Sequence, residues 1–264
     1  EQIKHFSYAG LWVGGIVNGE RRVSTSIVDG VFEAGNEGFE LFPKSPITIQ
    51  SSIASTTQDS MAKYYSPSAV SHQDMIIDFK DYGDNPSENL GIPNHTPLGL
   101  DIRLESYAWN YSYADAFVIL NYTFTNQSED VINDLYAGIW VDPSIANFNY
   151  TDYYSPGGGF TWYDNLNGYD ETLDLSGFTR DIAYQYDTDG DDGWAESYLG
   201  ISILGSSIDK KYLKSEYNQW VWTNSSNSDF PAYSMPINDN ERYDKMSSTV
   251  PKGTGPEYTA EGYP

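Results

Sequence analysis

Apolar and polar residues alternate along this chain in short runs, punctuated by Gly, Asn, Asp and Ser, the rhythm of strands joined by turns. The segment "DAFVILNYTFTN" sets Val118, Leu120, Tyr122 and Phe124 on one face and Asn121, Thr123 and Thr125 on the other. That period of two predicts an antiparallel strand with one face buried. "VINDLYAGIWVD" likewise opposes Leu135, Ala137, Ile139 and Val141 to Tyr136, Gly138 and Trp140. With "PLGLDIRLESYAWNYSY" before them, these long runs are expected to lie side by side as one face of a sandwich.

Nearer the N-terminus, "LWVGGIVNGERRVSTSIV" predicts a hairpin: a strand over 11–17, a turn at Asn18-Gly19 and a return over 22–28. "DMIIDFKDY" predicts a short strand and "YLGISILG" a buried one. Residues 43–73 read as a long loop or a short helix around Ser60 to Tyr65, and residues 147–194 as loop-rich. Amphipathic helical periodicity is hard to find. Without a linker, composition break or internal repeat, residues 1–264 read as one domain. The fold class expected is all-β: a large antiparallel β-sandwich, of the supersandwich or jelly-roll kind, with long loops.

Charge narrows the partners. The chain carries 38 acidic against 14 basic residues, a formal charge of −24. Such a surface repels nucleic acid and anionic membrane, and suits a divalent cation that neutralises clustered carboxylates. No apolar run approaches the ~20 residues needed to span a bilayer, so no membrane insertion is expected. The absence of cysteine removes disulfides, thiolate metal sites and a cysteine nucleophile. The start at Glu1 and the end at "GPEYTAEGYP" read as a trimmed fragment of something longer.

The richest candidate chemistry is "YDTDGDDGWAESYLG". Asp187, Asp189 and Asp191 match the first three ligand positions of a D-x-[DN]-x-[DN]-G calcium loop. Asp192 takes the glycine position, and Tyr198 stands where the closing glutamate belongs, with Glu196 two residues earlier. Two readings follow: a calcium loop between strands, held by Asp187, Asp189, Asp191, Asp192 and Glu196, or a solvated acidic turn. Further acidic loops are expected from Asp81, Asp164 and Asn238. Glycosidases need two carboxyls about 5–10 Å apart, but so many acids satisfy such a spacing by chance, and no catalytic pair is assigned.

Nucleophile motifs are weak. "SMAK" (Ser60 to Lys63) has the Ser-x-x-Lys spacing of penicillin-recognising enzymes without their Ser-Asp-Asn or Lys-Thr-Gly partners. His5, His72 and His95 are scattered; His72 and His95 read as hydrogen-bonded turn residues. Seven tryptophans and 23 tyrosines would suit stacking on sugar rings, with Trp220 and Trp222 on one side of "NQWVWTN". The plain alternative is core and cross-strand pairing. Asn-x-Ser/Thr occurs at Asn94, Asn110, Asn121, Asn126, Asn149 and Asn224, acceptor sites only in a glycosylating host.

The series "AGLWVGGIVNGERRVSTS", "YSPSAVSHQDMIIDF", "HTPLGLDIRLESYAW", "DAFVILNYTFTNQSEDVINDLYAGIWVD" and "DTDGDDGWAESYLGISILG" resembles a region of large secreted bacterial proteins. Many of these are exported by the type IX secretion route and end in a sorting domain. The likeness spans most of residues 9–205 and implies export, a β-rich fold and no assigned catalytic residues. Where that family shows Asp-x-Asp after its Y-x-G-x-W/Y strand, this chain departs, with Asp142 before Pro143 and Ser144. "DSM" also resembles the short sites O-glycosylated in some of these bacteria, which marks Ser60. The expectation is a secreted or cell-surface structural or adhesive protein, non-catalytic and calcium-stabilised. It would assemble with copies of itself or other extracellular proteins. The competing class is a carbohydrate-binding module or glycoside-active domain with a polysaccharide partner.

Overall fold

The computed structural model describes residues 3–28, 38–54, 56, 58–147, 165–173, 179–188, 190–207, 215–220 and 234–249. The fold is all-β, antiparallel and sandwich-like. Its strands are β1 (Ile3–Val17), β2 (Glu20–Thr25), β3 (Phe42–Pro43), β4 (Thr48–Gln50), β5 (Gln73–Lys80) and β6 (Leu100–Ala108). Then come β7 (Val118–Asn126), β8 (Ile132–Asn147), β9 (Asn165–Leu173), β10 (Thr179–Asp187) and β11 (Tyr198–Ser202). Among the described residues one helix, α1 (Asp239–Met246), follows, and short 3₁₀ turns occupy Ser60–Tyr64 and Gly190–Gly193. Among the described residues, no helix is long and apolar enough to cross a membrane.

The chain gathers into two compact units: one from residues 13–26 and 33–135, the other from 1–12, 27–32 and 136–264. β1 and β8 are divided between them.

The first unit holds the sheet β3-β5-β6-β7, with β4 also on β5. Its register puts Ile102 opposite both Phe79 and Phe124, and Leu104 opposite both Ile77 and Tyr122. Val13, Val17, Val23, Leu98, Leu100 and Ile102 are buried there. The Asn18-Gly19 turn joins β1 to β2, and both residues take positive φ, 52° and 83°, as a tight two-residue hairpin requires.

The second unit holds the sheet β11-β10-β9. Leu11, Trp12, Ile145, Ala195 and Tyr243 are buried in it.

Several expectations change. The runs of β6, β7 and β8 do not form one sheet, because β8 pairs with β1 in the order β2-β1-β8. Alternation shows that a strand has two faces; it carries no label for its neighbour. β8 also runs on through Asp142, Pro143 and Ser144 to Asn147. The stretch 147–194, expected as loop, contains the β9–β10 hairpin, whose register from Thr179↔Leu173 to Asp187↔Asn165 is unbroken. "YLGISILG" is not a buried strand: among the described residues β11 lies at the edge of its sheet, with Tyr198, Ile203 and Leu204 exposed. The acidic stretch at Asn238 is helical. Asn238 accepts from Glu241 N at 3.0 Å and donates its amide to Glu241 Oε1 at 2.8 Å, a reciprocal cap written in the sequence as Asn-x-x-Glu.

Candidate functional site

β10 delivers Asp187 to the mouth of the loop that leads to β11. The next described turn is left-handed: Gly190, Asp191, Asp192 and Gly193 have φ of 67°, 48°, 53° and 91°. Such a conformation suits glycine, and aspartate tolerates it because its short side chain bonds locally. Ala195 N donates to Gly190 O at 2.8 Å and Trp194 N to Asp191 O at 3.0 Å, closing the turn.

The carboxylates divide by environment. Asp187 is buried; its Oδ1 accepts from Gly190 N at 2.6 Å and its Oδ2 from Asn165 Nδ2 at 3.1 Å. Asp191 is buried too, and its Oδ2 accepts from Asn147 N at 3.2 Å. Asp192 and Glu196 are exposed, and Glu196 folds back so that its Oε1 lies 3.7 Å from where a Cβ on Gly193 would stand. Asp189 lies outside the described residues. Among those described, no three His, Asp or Glu side chains gather to hold a metal ion. The donor set is oxygen alone, which fits a hard cation such as calcium, whereas the hydrogen bonds to Asp187 and Asp191 also fasten the turn without one.

Asn165 extends this network. Its Nδ2 donates to Ile145 O at 2.9 Å and its Oδ1 accepts from Ile145 N at 2.5 Å, as a strand neighbour would, while Gln185 Nε2 also donates to Asn165 Oδ1 at 2.9 Å. The end of β8 is thereby tied to the acidic loop. An open cleft of about 490 Å³ adjoins it, lined by Ile3, Asn147, Gly193, Trp194, Glu196 and Ser197. Asp142, near the middle of β8, is partly buried, and burial pushes its pKa up against the opposing pull of Lys4 and Ser7.

A second polar cluster, in the first unit, escaped the sequence reading. Asp81 is buried at the end of β5 and accepts from Ser24 Oγ, Leu98 N and Leu100 N, each at 2.7 Å. Burial pushes its pKa up; the three donors and His95 pull it down. Glu40 Oε2 accepts from Thr25 N at 2.6 Å and Thr25 Oγ1 at 2.7 Å. His95 joins the two acids: Nε2 donates to the Asp81 carbonyl at 3.2 Å, and Nδ1 faces Glu40 Oε1 at 3.6 Å. Ser24 donates to Asp81 rather than to a histidine, and these side chains are sealed from solvent. The cluster is a clasp between distant segments, not a nucleophilic site.

Trp220 packs against Trp12 with ring centroids 5.5 Å apart, and Lys245 Nζ lies 5.8 Å from the Trp220 ring centre. Trp222, Asn149 and Asn224 lie outside the described residues. Ser60 is exposed at the start of its 3₁₀ turn, where Asp59 Oδ1 accepts from Met61 N at 2.7 Å. Asn94, Asn110, Asn121 and Asn126 are exposed; Asn121 already donates to Glu105 and Asn126 to the Asp130 carbonyl. No family model, curated protein or solved structure matches this chain.

Proposed function

We propose that this chain is a non-catalytic structural or adhesive protein of the cell exterior, stiffened by calcium at residues 187–196 and built to associate with copies of itself. One observation carries the reading: the uncovered apolar end of the β7 face. Among the described residues, β7 is the edge of its sheet. The alternation in its sequence calls for burial of Val118 and Leu120, yet they are 59 % and 46 % exposed, whereas Tyr122 and Phe124 are half-buried. In register with Leu120, across Ser106, stands Met75, also exposed.

Burying a Val or Leu side chain is worth about 1.5–3 kcal/mol, and roughly half of that is unrealised at each of these positions. A strand with a free edge and an apolar flank is a template for a second copy. A charge of −24 opposes self-association, and a divalent cation that neutralises clustered carboxylates would relieve that repulsion, which supports linking calcium to assembly. Export rests on the type IX resemblance.

The test is the solution mass of the full chain by light scattering, in millimolar calcium and in excess EDTA, for wild type and Leu120→Lys. Large particles that dissociate in EDTA, and that Leu120→Lys prevents, are expected. A monomer in both buffers overturns the proposal.

A further inference from the structure

The β6–β7 loop, "WNYSYADAF", places aromatic rings at Trp109, Tyr111, Tyr113 and Phe117. Tyr111 and Tyr113 stack with ring centroids 5.3 Å apart and planes 8° from parallel. The inner ring, Tyr111, meets His72 edge-on at 4.5 Å. His72 is held in turn, because its Nδ1 accepts from Asn110 N at 3.2 Å. Ala114 N donates to Tyr111 O at 2.8 Å and Ala114 is buried, so the backbone that projects Tyr113 is a closed turn seated on the unit. Trp109 and Phe117, with centroids 6.1 Å apart, brace its base. Tyr113 is nonetheless 80 % exposed. One face of its ring rests on Tyr111 and the other is open.

From this geometry we infer that the Tyr113 ring is the platform of a carbohydrate site that takes a neutral pyranose polysaccharide, an activity beyond structural self-association. The C–H face of a pyranose is flat, apolar and positively polarised, the complement of an aromatic face. Exposed Asn110, Ser112 and Asp115 stand in the same loop, with donors and acceptors for ring hydroxyls. A cage for a cation needs rings around one point, but these two are parallel and in contact, and present a single plane. A proline ligand needs a slot between rings, and here the second ring fills it. The charge of −24 works against polyanionic glycans. One platform per copy binds weakly, and copies joined in an assembly would bind a polymer with the avidity a monomer lacks.

The test is affinity electrophoresis of the full chain through native gels cast with soluble neutral polysaccharides: mixed-linkage glucan, xyloglucan, galactomannan and dextran. Alginate is the anionic control. Retardation by at least one neutral polymer and none by alginate is expected. Tyr113→Ala should weaken it about tenfold, and Tyr113→Phe and Tyr113→Trp should preserve it. Circular dichroism of each variant separates lost binding from lost fold. The inference is overturned if no neutral polymer retards the wild type, or if Tyr113→Ala is retarded as strongly. It is equally overturned if that variant changes only the mass in light scattering, which would give the ring to a second copy.

Discussion

Gly15→Ala would test the junction that the alternation pattern did not reveal, where β8 joins β1 instead of β7. A Cβ on Gly15 would stand 2.4 Å from Ile132 Cγ2. That is about 1 Å inside the ~3.5 Å at which two carbon atoms rest. Leu98 Cδ2 at 3.5 Å and Asn133 O at 3.6 Å lie at ordinary contact in the neighbouring directions, so the methyl fits only if the Ile132 side chain, or the strand that carries it, moves. Gly15 does not hold a left-handed φ, so Gly→Ala by itself should stabilise by roughly 0.4–1 kcal/mol through the unfolded chain. Overpacking costs about 1–3 kcal/mol and outweighs it, for an expected net loss of about 1–2 kcal/mol. Ile132→Ala removes the obstructing methyl. In that background Gly15→Ala should be neutral or stabilising, a coupling of about 2 kcal/mol. Equilibrium urea unfolding of wild type, both single variants and the double variant, followed by far-UV circular dichroism, measures it. Equal effects of Gly15→Ala in both backgrounds would refute the packing of Ile132 over Gly15.

Other outcomes follow from the buried groups. Asp81→Ala strands the Leu98 and Leu100 amides and should cost at least about 2 kcal/mol, with those amides losing hydrogen-exchange protection; unchanged protection would show that the clasp is dispensable. Lys245, partly buried, has its pKa pushed down to about 8 by burial, against the pull of Glu241. The native state therefore binds fewer protons than the unfolded chain between about 8 and 10.5, and stability should rise with pH across that window. Lys245→Met should flatten the rise in Tm between about pH 7.5 and 9.5, below the range where Tyr82, pushed up to about 12, adds the opposite slope; a parallel rise in the variant would exclude Lys245 as its source. At the acidic loop, Asp191→Asn should lower Tm in EDTA only slightly and abolish any calcium-induced increase in Tm. An increase that survives the substitution would move the ion elsewhere.

Much of the candidate site was visible as composition and little as geometry. The run Asp187 to Asp192 announces itself because its spacing is local, yet whether a carboxylate faces solvent or an amide depends on Asn147 and Asn165, which lie 44 and 22 residues away. The clasp was invisible for the same reason. Ser24 and Asp81 are 57 residues apart, and neither carries a local signal that it will be buried. The α1 cap at Asn238 and Glu241 was legible in principle, but the acidic residues around it read first as a loop.

What is local was legible in the chain alone: the Asn18-Gly19 turn, where positive φ favours those residues; the two-faced alternation of β7 and β8; and an acid excess that works against polyanionic partners. Only the tertiary structure decided which strands are neighbours, which half of the β7 apolar face is covered, and which acids are buried among donors. Those outcomes depend on contacts between segments far apart in the chain. Burial and hydrogen-bond pairing are set by what arrives from elsewhere, and a residue's own neighbours in sequence do not encode it.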